Sequence, residues 1–103
     1  MCAAAGILTL AAQLPRQAPA GDAGKGKAVF ADQCAVCHAL DASKKLGPGM
    51  KGLFKKTKLQ NGKPPSEASV RALIDSGGNG MPPYKDLLTA AQKNDLLAYL
   101  KTL

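Results

Sequence analysis

The 103-residue chain contains no tryptophan and only four aromatic side chains, Phe30, Phe54, Tyr84 and Tyr99. A domain of this size buries a modest fraction of its surface, so few aromatics leave its core short of volume. Three cysteines cannot form the multi-bridge framework that staples many small domains. No run of about 18 apolar residues occurs, which excludes a spanning helix. Acidic residues are scarce too, 7 against 14 basic ones, for a formal charge of +7. What is present is a chain 46% hydrophobic and 20% charged, which excludes a wholly disordered or collagen-like polymer. One small domain is expected, with something other than aromatics or disulfides filling its interior.

The first 24 residues differ from the rest, with eight alanines and two charged side chains, Arg16 and Asp22. Residues 7–14 (ILTLAAQL) form a short apolar stretch, and Ala18-Pro19-Ala20 has the pattern of a small-residue cleavage site. No Lys or Arg precedes that stretch, so the segment matches only the back half of a secretory signal. The expected division is an export-signal remnant or N-terminal extension at 1–21 and a folded domain at 22–103. A lipid anchor on Cys2 is the rival reading, although the apolar stretch follows that cysteine instead of preceding it.

Within the domain the hydrophobic period is 3.6 throughout, and no alternating strand pattern competes. Asp22 caps a first helix to about Cys34, with Val29, Phe30 and Ala31 as its apolar stripe. Residues 41–63 hold Gly47, Pro48, Gly49, Gly52 and Gly62 among many lysines and read as loop, with a helical turn near 51–54. Ser66 caps a second helix that buries Val70, Leu73 and Ile74 and stops at Gly77-Gly78. Residues 77–83 (GGNGMPP) are expected to be irregular, because Gly and Pro break helix and strand alike. Thr89 and Gln92 form a capping box for a last helix, on which Leu96, Tyr99, Leu100 and Leu103 recur at helical spacing. The class is all-α. Its long connections suit a fold that wraps a large apolar ligand.

Cys34-Ala35-Val36-Cys37-His38 is C-x-x-C-H, the attachment signature of c-type haem. Two thiols three residues apart reach the vinyl-derived positions on one porphyrin edge, and the next residue offers an imidazole to the iron. The porphyrin then becomes part of the core. A thioredoxin-like pair needs a βαβ context, which is absent from the pattern. A structural zinc site needs a fourth ligand, and no second pair follows downstream. A plain disulfide would strain across so short a loop.

His38 is the sole histidine, so bis-histidine ligation within one chain is impossible. The usual strong partner is methionine, and the candidates are Met1, Met50 and Met81. Met81 lies in Gly80-Met81-Pro82-Pro83, a stiff segment 43 residues beyond His38, and is the expected second iron ligand. Met50, only 12 residues beyond His38, is expected to pack on the haem edge.

These motifs resemble the class I c-type cytochromes along nearly all of residues 24–103. Gly26-Lys27-Ala28-Val29-Phe30 resembles the family's N-terminal helix, and Asp95-Leu96-Leu97-Ala98-Tyr99-Leu100 its C-terminal helix. The segment from Gly47-Pro48-Gly49-Met50 through Phe54 resembles the loop after the haem histidine. The resemblance implies three to five helices and long loops wrapped around one covalent haem c, bound through Cys34 and Cys37. It implies that Gly26 and Phe30 meet Leu96 and Tyr99, and that the Pro48 carbonyl orients His38. Met50 departs from the leucine common in the family, and no Trp is present to hold a haem propionate.

The implied function is outer-sphere electron transfer through an exposed haem edge, without catalysis. The alternative is a haem subunit or sensor whose Met81 gives way to a small ligand. Lys44, Lys45, Lys51, Lys55, Lys56, Lys58 and Lys63 fall within 20 residues that hold no Asp or Glu. Beside a haem they suit transient docking to acidic surfaces of redox partners: a membrane complex, oxidase, reductase or dehydrogenase. Nucleic acid is not an expected partner, since aromatics are not interleaved with the lysines. A periplasmic or otherwise exported monomer is expected, membrane-tethered only if Cys2 or the leader anchors it.

Overall fold

The computed structural model describes residues 21–103; the leader, Cys2, Met1 and the cleavage pattern lie outside the described residues. Three α-helices carry the fold: α1 (Ala23–Gln33), α2 (Glu67–Ser76) and α3 (Ala90–Leu100), with a 3-10 turn at Leu53–Lys55. Among the described residues no β-strand forms. The helix starts follow from local chemistry. Asp22 accepts from the Lys25 amide, and Thr89 with Gln92 forms a complete capping box. Ser66 forms one with Ser69, whose hydroxyl also donates to the Pro64 carbonyl at 2.8 Å. Each such cap contributes about 1 kcal/mol.

The central relationship is the crossing of α1 on α3. A Cβ on Gly26 would lie 1.9 Å from the Asp95 carbonyl oxygen and 2.8 Å from the Tyr99 Cβ, so only glycine admits this approach. Farther along, the Phe30 and Tyr99 rings meet with centroids 5.9 Å apart in a tilted pair. Asp95 also accepts from the Asp22 amide at 2.8 Å, tying the start of α1 to α3. Leu96 and Leu97 are each 1% exposed, and burying such a side chain contributes about 1.5–3 kcal/mol.

Several expected stripes shift by a residue. Ala31 is exposed, and the inward face of α1 is Gly26 and Phe30, with Val29 half-buried. On α2, Val70 and Ile74 are buried while Leu73 is half-buried. On α3, Leu97 joins Leu96 and Leu100 inside, and Tyr99 and Leu103 are half-buried against them. Met50, Leu53 and Leu59 from the lysine-rich connection complete the core, so that loop is anchored from within.

Candidate functional site

Cys34 is the C-cap of α1, where the helix tightens into a turn. The amides of Cys34 and Ala35 both donate to the Phe30 carbonyl, and those of Cys37 and His38 both donate to the Cys34 carbonyl. This turn holds the two cysteines close together, half-buried and without a disulfide. Burial, and then the neighbouring Cys37, pushes the Cys34 thiol up to about 11, so it is protonated at neutral pH. Among the described residues no three His, Cys, Asp or Glu side chains converge as zinc ligands would.

The His38 ring is fixed by the loop that follows. Its Nδ1–H donates to the Pro48 carbonyl at 2.8 Å. A carbonyl only accepts, so the proton sits on Nδ1 and the Nε2 lone pair is free to bind a metal. Gly47 lies flat against the ring, since a Cβ there would come 2.4 Å from Cε1. The Gly47 amide donates to the Cys37 carbonyl at 2.7 Å, and the Met50 amide to the Ala39 carbonyl at 2.9 Å. These bonds hold the loop against the Cys34–His38 turn. Met50 itself is 8% exposed within the core.

Met81 stands on a tighter device than irregular loop. The Gly78 amide donates to the Met81 carbonyl at 2.9 Å and the Met81 amide returns the bond to Gly78 at 3.0 Å, an antiparallel bridge closed by Asn79-Gly80. Both central residues have positive φ, 52° and 89°, as a two-residue hairpin turn requires. No helix or strand forms at 77–83, as expected from its glycines and prolines, and the Asn-Gly dipeptide marks the one tight turn within it. Met81 is half-buried and packs against the core. Tyr84, three residues on, is buried, and its hydroxyl donates to the Gln33 carbonyl at 2.9 Å. Neither that bond nor the buried Lys93 has a local sequence signal, because both join distant segments.

These residues fit a covalent haem by the chemistry of the donor set. Two paired thiols, an imidazole with Nε2 free, and a thioether on a pinned turn are what such a group needs from a chain. Around them Val36 is 75% and Leu46 83% exposed, so large apolar side chains lie at the surface beside the attachment turn. All seven lysines of residues 44–63 are exposed. Lys44, Lys51 and Lys56 line a shallow pocket of about 180 Å³ with Ala42, Pro48 and Gly49. The lysine face therefore adjoins the loop that holds His38.

The family model described as cytochrome c oxidase, cbb3-type, subunit III matches residues 21–100. Cytochrome c6 of Rippkaea orientalis is 39% identical over 93 residues, 87% of this chain and 78% of its own. A cytochrome c-553-like protein of Synechocystis sp. is 34% identical over 84 residues, 81% of this chain and 70% of its own. The solved structure of cytochrome c6 from the diatom Phaeodactylum tricornutum is similar with a TM-score of 0.62 and 27% identity. That match covers 80% of this chain and 93% of the diatom protein.

Proposed function

Because the chain belongs to the class I c-type cytochromes, we propose that His38 and Met81 would hold its haem iron, with Pro48 orienting the imidazole. One haem c is held covalently through Cys34 and Cys37, and the protein is an electron carrier, not an enzyme. When bound, the haem would supply one-electron chemistry. The chain's residues tune and protect it. The thioether of Met81 favours the ferrous state and so a high potential. The Pro48 carbonyl, drawing on Nδ1–H, makes Nε2 a stronger donor. With both ligands on pinned segments, little rearrangement accompanies each electron.

The observation that carries this reading is the His38–Pro48 bond at 2.8 Å, which leaves Nε2 as the imidazole's only free lone pair. The test is the visible spectrum of the oxidised haem protein. A weak red band from the iron–thioether bond is expected, lost in Met81→Ala and retained in Met50→Leu. Its absence in the parent protein, with rapid carbon monoxide binding after reduction, would instead favour a sensor with a displaceable ligand.

The exposed lysines around Pro48, with Val36 and Leu46 beside the attachment turn, form a basic, partly apolar docking face. Its partners are acidic surfaces of redox proteins such as an oxidase, a reductase or a membrane complex. Among the described residues no helix is long and apolar enough to cross a membrane. The leader pattern at 1–21 supports export to the periplasm, where haem attachment and docking would take place. Mass spectrometry of the natively produced protein would report the haem adduct, the mature N-terminus and any acyl chain on Cys2.

A further inference from the structure

Lys93 is a buried charge that electron transfer does not use. It sits near the start of α3 with 7% exposure, unusual for lysine, whose ammonium is costly to bury unless paired. Its Nζ lies 2.6 Å from Oδ1 of Asp75, near the end of α2, and donates to the Lys85 carbonyl at 3.0 Å. Asp75 and Lys85 flank residues 76–84, the segment that presents Met81. The main chain closes the same base: the Tyr84 amide donates to the Ile74 carbonyl at 2.9 Å, and the Lys85 amide to that of Asp75 at 3.3 Å. A single ammonium therefore holds both ends of the Met81 loop to α3.

The pair is also poorly replaceable. Asp75 Oδ1 is enclosed and, among the described residues, has this ammonium as its one polar partner. Without Lys93 the enclosed oxygen of Asp75, whose side chain is 31% exposed overall, loses its counter-charge and the Lys85 carbonyl loses its donor. Opening the loop to water relieves both at once. Arg71 to Asn94 supplies another α2–α3 bond, so the two helices keep a link that does not pass through the loop.

We propose that Lys93, paired with Asp75 and bonded to the Lys85 carbonyl, is a positioning residue: a clamp that keeps the Met81 loop closed and the thioether at the iron. The inference rests on the reading of Met81 as a ligand. The experiment titrates the ferric haem protein with imidazole, which competes for the iron only when the loop opens. Apparent affinity is then the intrinsic affinity reduced by the open fraction. Lys93→Met is expected to raise imidazole affinity about tenfold. It should also lower the denaturant concentration that abolishes the red band more than the one that abolishes the helical signal. Lys93→Arg should restore most of the parent behaviour, and Asp75→Asn, which keeps the shape, should act in the same direction as Lys93→Met. In a Met81→Ala background Lys93→Met should change imidazole affinity no further. Parent-like imidazole affinity in both Lys93→Met and Asp75→Asn, or equal shifts of band and helix, would overturn the clamp. A red band that survives Met81→Ala would instead overturn the ligand reading on which it stands.

Discussion

The Tyr84 hydroxyl donates to the Gln33 carbonyl at 2.9 Å, joining segments 51 positions apart in sequence. Gln33 ends α1 immediately before Cys34, and Tyr84 lies three residues after Met81. The bond therefore links the segment that attaches the cofactor to the segment that presents the thioether. Burial raises the Tyr84 phenol above its ordinary value, so the group remains a neutral donor.

Tyr84→Phe removes this bond and little volume. A loss of about 1 kcal/mol is expected, because a typical intramolecular hydrogen bond contributes about that much net. In a domain of this size that is a fall of about 4–8 °C in Tm. Thermal melts followed by far-ultraviolet circular dichroism check it. An unchanged Tm would mean that water replaces the hydroxyl at no cost.

Gly26→Ala sets two effects against each other. Alanine improves helix propensity by about 1 kcal/mol over glycine. The added Cβ, however, would lie 1.9 Å from a backbone carbonyl, which no rotamer change can relieve. Overpacking of this kind costs about 1–3 kcal/mol and more when backbone must move. A net destabilisation of up to about 2 kcal/mol, and more where backbone must move, is expected in denaturant titrations, against a small gain if the crossing were loose.

Much of this architecture was legible in the chain before any coordinates. Asp22, Ser66 and Thr89 announced the helix starts, because caps act within three residues. Cys34, Cys37 and His38 announced the attachment turn for the same reason: their chemistry is local in sequence. The stripes were less legible, since which neighbours of Phe30 or Leu73 face inward depends on how the helices cross. Tyr84 to Gln33 and Lys93 to Asp75 could not be read at all, being contacts between segments that meet only in the folded chain. The turn at Asn79-Gly80 was readable, but its glycines and prolines look equally like plain loop.

Gly47→Ala tests the seat of His38. A Cβ 2.4 Å from the ring must displace either the imidazole or the loop, and either movement strains the bond to Pro48. The expected outcome is a loss of about 1–3 kcal/mol in stability together with a changed reduction potential. Potentiometric titration separates the two effects. A destabilised protein with an unaltered potential would show that the loop yields and the imidazole stays.

Glu67 and Lys101 offer a pH test on the surface. The Lys101 hydrogen bond and charge hold the Glu67 carboxyl below its ordinary value. A carboxylate depressed in the folded state stabilises above its unfolded pKa, and that contribution disappears as pH falls through the folded one. Because the pair is exposed, its contribution is about 0.5 kcal/mol. Glu67→Gln should therefore lower stability slightly at neutral pH, and the difference from the parent should close on acidification below about pH 4. Urea titrations at several pH values read this directly.

The lysine face makes a prediction that needs no named partner. Seven exposed lysines without an acidic neighbour in residues 44–63 should attract anions toward the loop that holds His38. Reduction of the ferric protein by an anionic metal complex should slow as salt is added, and reduction by a cationic complex should quicken. The Debye length falls from about 30 Å at 0.01 M to about 8 Å at physiological ionic strength, so a change of about tenfold across that range is expected. Lys55→Glu with Lys58→Glu should flatten both trends. Lys25→Glu with Lys27→Glu, on α1, makes the same change in net charge outside the run and should do so far less. Equal effects from the two double variants would mean that total charge steers the reagents and that the 44–63 segment is not a docking face.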